Sequence, residues 1–181
     1  MRLRELRQEL PVPVELVHRP FVLLPDEEKR HFTEYYLRHR RAAAELSGLP
    51  YHLPDVGDHY PTSSWPALEA AEWVKRAYPD RFDTYDLAIY EAFFQFTRDI
   101  SDPGVLTDLA RSAGIPDPDR LQDSLERRAL RGEVAAQVSE TERRGVRLIP
   151  TVLIGEEALV GAVPAADYRQ AARRTLDDRP G

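Results

Sequence analysis

The chain of 181 residues contains no cysteine and a single methionine. Without a thiol it cannot form a disulfide, bind a metal through thiolate ligands or use a cysteine nucleophile. It also lacks any run approaching the roughly 18 apolar residues of a membrane-spanning helix, so no membrane association is expected. The formal net charge is −6, with the two signs interspersed, and this excludes the basic footprint of a nucleic-acid-binding protein.

The N-terminal ten residues lack the apolar centre of a secretory signal, because Glu5 and Glu9 interrupt a stretch that carries Arg2, Arg4 and Arg7. Cytoplasmic residence is therefore predicted. A chain of this length buries about two-thirds of its unfolded surface and can build a sizeable core. The sequence makes no prediction about oligomeric state.

A proline divides the apolar segment that follows Gly145. Proline donates no ladder hydrogen bond and is confined to strand starts, edges and bulges, so Pro150 is predicted to open a strand over 152–154. A turn at 155–157 then allows 158–161 to pair back as a hairpin. A C-terminal helix is predicted from Pro164.

The N-terminal half is predicted to contain an extended strand and a helix. Residues 11–24 read as one strand segment with prolines at its entry and exit. Asp26 then has the character of an N-cap, with acidic residues in the following turn, for a helix that reaches about Leu46.

Further helices are predicted from proline start signals at Pro66, Pro103 and Pro118, the last leading into a long charged stretch to Arg144 with a break at Gly132. The strongest helical periodicity runs over 84–97. Its predicted core-facing residues are Tyr85, Ala88, Ile89, Ala92, Phe93 and Phe96.

The order of these elements, and two short motifs, resemble the DsbA family. The motifs are Ile149-Pro150-Thr151-Val152-x-Ile154-Gly155, followed by Gly161-Ala162-x-Pro164, and the block Val14–Asp26 with its Arg19-Pro20-Phe21 turn. Within that family the chain resembles the FrnE-type oxidoreductases, which are kin of glutathione transferase kappa and of 2-hydroxychromene-2-carboxylate isomerase. The resemblance covers nearly the whole chain.

The resemblance implies an α/β, thioredoxin-like fold with a large all-helical insertion domain. Residues 1–26 and 145–181 would form the thioredoxin-like part, and residues 27–144 the insertion. Family members begin with a strand and carry Cys-x-x-Cys, or a serine in the isomerases, at the start of the first long helix. Residues 1–10 resemble the later turns of that helix, so the sequence is expected to be an N-terminally truncated form that lacks the first strand. No catalytic residue carries over.

The resemblance also implies a substrate-binding segment at Ile149, Pro150 and Thr151, where the proline would be cis. An extended peptide or thiol substrate is the expected partner at the groove beside it. Three functions stay open: a FrnE-like thiol-disulfide oxidoreductase homologue that is redox-inactive as given, a glutathione-dependent isomerase or kappa-type transferase relative, and a non-catalytic peptide-binding module. Whether the chain is an enzyme is left open. No cofactor is required, with glutathione as the candidate ligand.

Three other groups of residues have both a chemical and a structural interpretation. His52 and His59 share a loop with Asp55 and Asp58 that could ligate zinc, but such loops are usually only solvated, and no metal is predicted. Hydroxyls at 62–64 are better explained by helix capping than by nucleophilic catalysis. The arginine pairs at 40–41, 127–128, 143–144 and 173–174 are predicted to be solvated helix faces, with binding of glutathione carboxylates as the alternative.

Overall fold

The computed structural model describes residues 2–47 and 49–177. The helices and strands are α1 (Arg2–Glu9), β1 (Arg30–His31), α2 (Glu34–Ser47), β2 (His59–Tyr60), α3 (Trp65–Ala77), α4 (Pro79–Phe94), α5 (Pro103–Ser112), α6 (Pro118–Glu126), α7 (Arg131–Arg143), β3 (Thr151–Ile154), β4 (Glu157–Val160) and α8 (Ala165–Asp177). None of the described helices has the length and apolar character needed to cross a bilayer.

The chain forms two compact units, residues 22–136 and residues 1–21 with 137–181. The predicted bounds of the helical insertion, residues 27–144, stay a prediction.

The unit of residues 22–136 is built on an apolar core contributed by α3, α4, α5 and α6. The helices supply Ala, Leu, Ile and Val at helical spacing, and Tyr85 is fully buried among them. Its hydroxyl donates a hydrogen bond to the carbonyl of Leu106, 3.0 Å away. That bond satisfies the single polar group that this side chain brings into the core.

The predicted proline start signals are confirmed at Pro66, Pro103 and Pro118, each of which lies in the first turn of its helix. The carboxylate of Asp102 accepts a hydrogen bond from the backbone N–H of Gly104 at 2.7 Å, as an N-cap does. Asp117 makes no such cap bond, and its carboxylate accepts instead from the hydroxyl of Tyr78 at 2.7 Å.

The other unit contains the predicted β-hairpin and C-terminal helix, and both are confirmed. Strands β3 and β4 pair in antiparallel register from Thr151 opposite Val160 to Ile154 opposite Glu157. Helix α8 packs against β3 and α1. The guanidinium of Arg174 makes two bonds to the carboxylate of Glu157, at 2.6 and 2.7 Å, and so joins α8 to β4.

The predicted strand over 11–24 is wrong, because the described structure has no strand between α1 and β1. The prolines at 11, 13, 20 and 25 donate no backbone hydrogen bond. Among the described residues no partner strand lies beside this segment. An extended conformation without a partner cannot form a ladder.

The helix predicted from Asp26 begins eight residues later, at Glu34. The Asp26 carboxylate forms an ion pair with Arg30 instead of capping a helix. Residues 30–31 pair as β1 with β2, and the next residue, Phe32, is 1% exposed. Burial of this aromatic side chain outweighs the local capping signal.

Two further helix boundaries differ from the predictions. The helix predicted over 84–97 begins at Pro79 and ends at Phe94, and Thr97 then adopts a positive φ of 51°. Phe96 therefore lies outside the helix and is 68% exposed. In the long charged stretch the break lies at 127–130, where Arg128 has a φ of 50°, and Gly132 belongs to α7.

Candidate functional site

The predicted substrate-binding segment Ile149-Pro150-Thr151 leads directly into β3. The Ile149–Pro150 peptide bond is cis. The carbonyl of Pro150 accepts a hydrogen bond from the N–H of Gly161 at 2.8 Å, which extends the hairpin ladder by one bond beyond β4. Pro150 thus belongs to the hairpin, and Ile149 is the residue just outside it.

The backbone of Ile149 is open to a partner. In the part of the chain that the structure describes, neither its N–H nor its C=O is hydrogen-bonded, and its side chain is 45% exposed. Strand β3 pairs with β4 on one edge, and no described strand lies on the other. The Thr151 hydroxyl donates to the carbonyl of Leu148 at 2.6 Å and holds the turn before the strand.

The outer face of the hairpin is apolar. Leu153 and Val160 are 45% and 49% exposed, and Leu148 before the strand is 65% exposed. Val152 and Leu159 alternate with them and are half-buried on the opposite face. A hairpin that is apolar on both faces is typical of a sheet covered on both sides, so the exposed face is suited to binding a partner.

A shallow cavity of about 260 Å³ lies on this outer face, lined by Leu153, Ala158 and Val160 and bordered by Arg144 and Arg147. Arg144 pairs with Glu140 at 2.8 Å, and Nη1 of Arg147 donates to the carbonyl of Glu142 at 2.8 Å. The cavity therefore combines an apolar floor with two cationic groups at its rim.

The histidine-aspartate loop does not form the zinc cluster considered above. Within residues 2–47 and 49–177, no three His, Asp or Glu side chains are grouped so as to hold a metal ion. The Asp58 carboxylate accepts from the N–H of Asp55 at 3.0 Å. Nε2 of His59 lies 2.6 Å from Oδ2 of Asp99, a partner that its sequence position did not indicate.

The hydroxyls at 62–64 have structural partners. Ser63 lies one residue before the N-cap position of α3, and its Oγ accepts from the N–H of Trp65, the first helical residue, at 3.3 Å. Ser64 makes no cap bond, and its hydroxyl accepts from the N–H of Leu24 at 3.0 Å. Thr62 donates to Ser101 at 3.1 Å. These bonds fix the start of α3 and the segment beside it.

Arg40 corrects the prediction that the arginine pairs are solvated, since this residue is only 5% exposed. Its Nη2 donates to the carbonyls of Phe93 and Phe94 at the end of α4. Burial lowers the pKa of its guanidinium. The other arginines of the four pairs are exposed. Its guanidinium lies over the rings of Phe32, Phe93 and Phe94, contacts between residues distant in sequence that the Arg-Arg pair at 40–41 does not indicate.

Comparison with known proteins gives one matching family model and several similar chains. The model for the DSBA-like thioredoxin domain matches residues 1–173. Protein YwbO of Bacillus subtilis, described as uncharacterized, is 28% identical over 129 residues, which is 71% of this chain and 62% of YwbO. The aligned region thus spans less than two-thirds of that relative's length.

Two solved structures have similar folds. A protein described as a probable DsbA oxidoreductase from Streptomyces coelicolor is 24% identical, with a TM-score of 0.80, and the match covers 99% of this chain and 84% of that one. The cytosolic disulfide reductase DsbM from Pseudomonas aeruginosa, solved with GSH, is 18% identical, with a TM-score of 0.68 and coverage of 97% and 89%. The predicted thioredoxin-like α/β fold with a helical insertion is confirmed.

Proposed function

The chain belongs to the family of DSBA-like thioredoxin domains, and from this premise we propose that it is a FrnE-type thiol-disulfide oxidoreductase homologue that binds substrate without dithiol exchange of its own. The proposed substrate is an extended peptide, or a thiol substrate presented in that form. Dithiol exchange needs an attacking thiolate, and the 181 residues contain no cysteine. Binding is the part of the family's activity that this sequence can still perform.

The observation that carries the proposal is the unpaired backbone of Ile149 beside an exposed apolar face. An extended chain that pairs with Ile149 would gain a donor and an acceptor at once, and this is how a strand is added to a sheet edge. Exposed Leu148 and Leu153 would contact alternate side chains of the same peptide. Ile149, Pro150 and Thr151 are therefore the proposed substrate-binding residues.

The test uses a fluorescent, extended apolar peptide and the full chain, with binding followed by anisotropy. Methylation of a peptide amide removes its N–H, and only every second amide of an extended peptide faces the edge it binds. We expect methylation at one set of alternate positions to abolish binding and methylation at the other set to leave it nearly unchanged. Equal effects of both sets would contradict backbone pairing.

A matched pair of variants locates the site. Leu153→Asp places a charge on the outer hairpin face, whereas Leu87→Asp places one on α4 at nearly equal exposure, 45% against 44%. The first should weaken peptide binding and the second should not. Loss of binding in Leu87→Asp alone would place the peptide elsewhere.

Glutathione is a second candidate ligand, favoured by the two arginines at the rim of the 260 Å³ cavity. Its two carboxylates could pair with Arg144 and Arg147, and DsbM, which has a similar fold, was solved with GSH. Titration calorimetry with reduced glutathione tests this. Heat of binding that is lost in Arg147→Gln would support it, and absence of heat at millimolar ligand would eliminate it.

We also propose residence in the cytoplasm, which is supported by the cytosolic DsbM among the structural neighbours. The kinship with kappa-type transferases and isomerases rests on the motif resemblance. The N-terminal truncation, with the missing first strand, stays a prediction.

A further inference from the structure

The short ribbon of β1 and β2 places two histidines directly opposite each other, His31 and His59. The N–H of Phe32 donates to the carbonyl of Asp58 at 2.7 Å, which makes the adjacent position a hydrogen-bonded one. Such positions alternate along an antiparallel pair, so His31 and His59 occupy a non-hydrogen-bonded position. At such a position the Cα atoms are typically about 4.5 Å apart, and the two side chains project from the same face of the ribbon.

Each imidazole has one nitrogen occupied by an acceptor. Nδ1 of His31 lies 2.9 Å from the carbonyl of Gly57, and Nε2 of His59 lies 2.6 Å from the carboxylate of Asp99. A carbonyl or a carboxylate oxygen accepts, so these nitrogens carry the hydrogen. In the neutral rings, Nε2 of His31 and Nδ1 of His59 therefore keep their lone pairs.

The Gly57 carbonyl and the Asp99 carboxylate, which accept from the two histidines, resemble the groups that surround the ligands of a metal site. Histidines that bind metals usually donate their other N–H to a carboxylate or a backbone carbonyl, which fixes the ring orientation. Asp99 is itself held in place, because its Oδ1 accepts from the N–H of Ser101 at 2.9 Å. Both histidines are exposed, and the side chain of His59 is 51% accessible.

We propose that His31 and His59 form a two-histidine site for a borderline divalent transition-metal cation of the Zn²⁺, Cu²⁺ and Ni²⁺ class. Imidazole nitrogens suit these ions, whereas Mg²⁺ and Ca²⁺ prefer oxygen ligands. Water completes the coordination, and the Asp99 carboxylate offsets part of the cation's charge. The site joins β1 to β2 and is independent of the proposed peptide binding.

The test is titration calorimetry of the untagged full chain with CuCl₂ and with ZnCl₂. His31→Gln and His59→Gln should each weaken binding about tenfold or more, since each removes a ligand. The matched control is His39→Gln. Nδ1 of His39 also faces a backbone carbonyl, that of Tyr35 at 2.7 Å, but His39 lies in α2 and has no histidine opposite. This variant should bind as the parent does, and MgCl₂ should give no heat.

Electron paramagnetic resonance of the Cu²⁺ complex reports the ligands directly and does not depend on affinity. The parent should show hyperfine coupling to two imidazole nitrogens, and His31→Gln to one. Circular dichroism of each metal-free variant confirms that it is folded. Unchanged affinity and coupling in His31→Gln, or an equal loss in His39→Gln, would overturn the proposal.

Discussion

The guanidinium carbon of Arg40 lies 4.8 Å from the centroid of the Phe93 ring, and Nη2 of the same group donates to the carbonyl of Phe94 at 2.8 Å. Rings of Phe32 and Phe94 lie within 5.4 Å of the same carbon. The cation thus satisfies two carbonyls at the end of α4, which have no partner within the helix, and is itself stabilised by aromatic faces.

Arg40→Met is therefore expected to destabilise the protein by about 1.5–3 kcal/mol, the range for hydrogen bonds to charged groups. Arg41→Met changes the neighbouring exposed residue and should stay within about 0.5 kcal/mol. Urea denaturation followed by circular dichroism measures both. Equal effects of the two substitutions would show that Arg40 does not support the end of α4.

Tyr85 predicts a dependence of stability on alkaline pH. Burial raises the pKa of its hydroxyl far above the ordinary value of 10.0. Above pH 10 the unfolded chain therefore loses a proton that the folded chain keeps, so the free energy of unfolding falls as pH rises. Tyr85→Phe should show a shallower fall, together with a loss of about 1 kcal/mol at neutral pH. Tyr35→Phe, at an exposed position, is the control, and identical pH profiles for Tyr85→Phe and the parent would refute the burial argument.

Gly155 opens the turn between β3 and β4 with a φ of +58°. A Cβ at this position would lie 2.7 Å from Oγ1 of Thr175, so Gly155→Ala combines backbone strain with a clash. We expect a loss of more than about 1 kcal/mol. Adding Thr175→Ala should restore the part due to the clash alone, and thermal unfolding of the two variants measures the difference. No recovery would mean that the strain dominates.

The structural elements that could be predicted from the sequence are those fixed by local chemistry. Asp102 followed by Pro103 supplies an N-cap and a first-turn proline, so the start of α5 is encoded locally. Pro150 before Thr151 and Val152 marks the start of β3 in the same way. Arg40, in contrast, looked like a solvated residue, because its burial depends on Phe93, more than fifty residues away. The strand over 11–24 failed for the same reason, since a strand depends on a partner that its own sequence does not specify. The pairing of His31 with His59 likewise depends on strand register.

The absence of thiols predicts a negative result in redox assays. The 181-residue chain should not accelerate reduction of insulin by dithiothreitol, nor refold a substrate with scrambled disulfides, beyond a heat-inactivated control. Mass spectrometry of the preparation must establish its sequence. Catalysis well above the control would refute the claim that substrate binding occurs here without dithiol exchange.

Amide hydrogen exchange measures the proposed pairing of an extended peptide with the backbone of Ile149 at the residue itself. In the free protein the Ile149 amide should exchange rapidly, because no described group accepts from it. Saturation with the apolar peptide should slow exchange at Ile149 while leaving the exposed face of α4 around Leu87 unchanged. Exchange at Ile149 that stays fast when the peptide is fully bound would show that the peptide does not pair with this backbone.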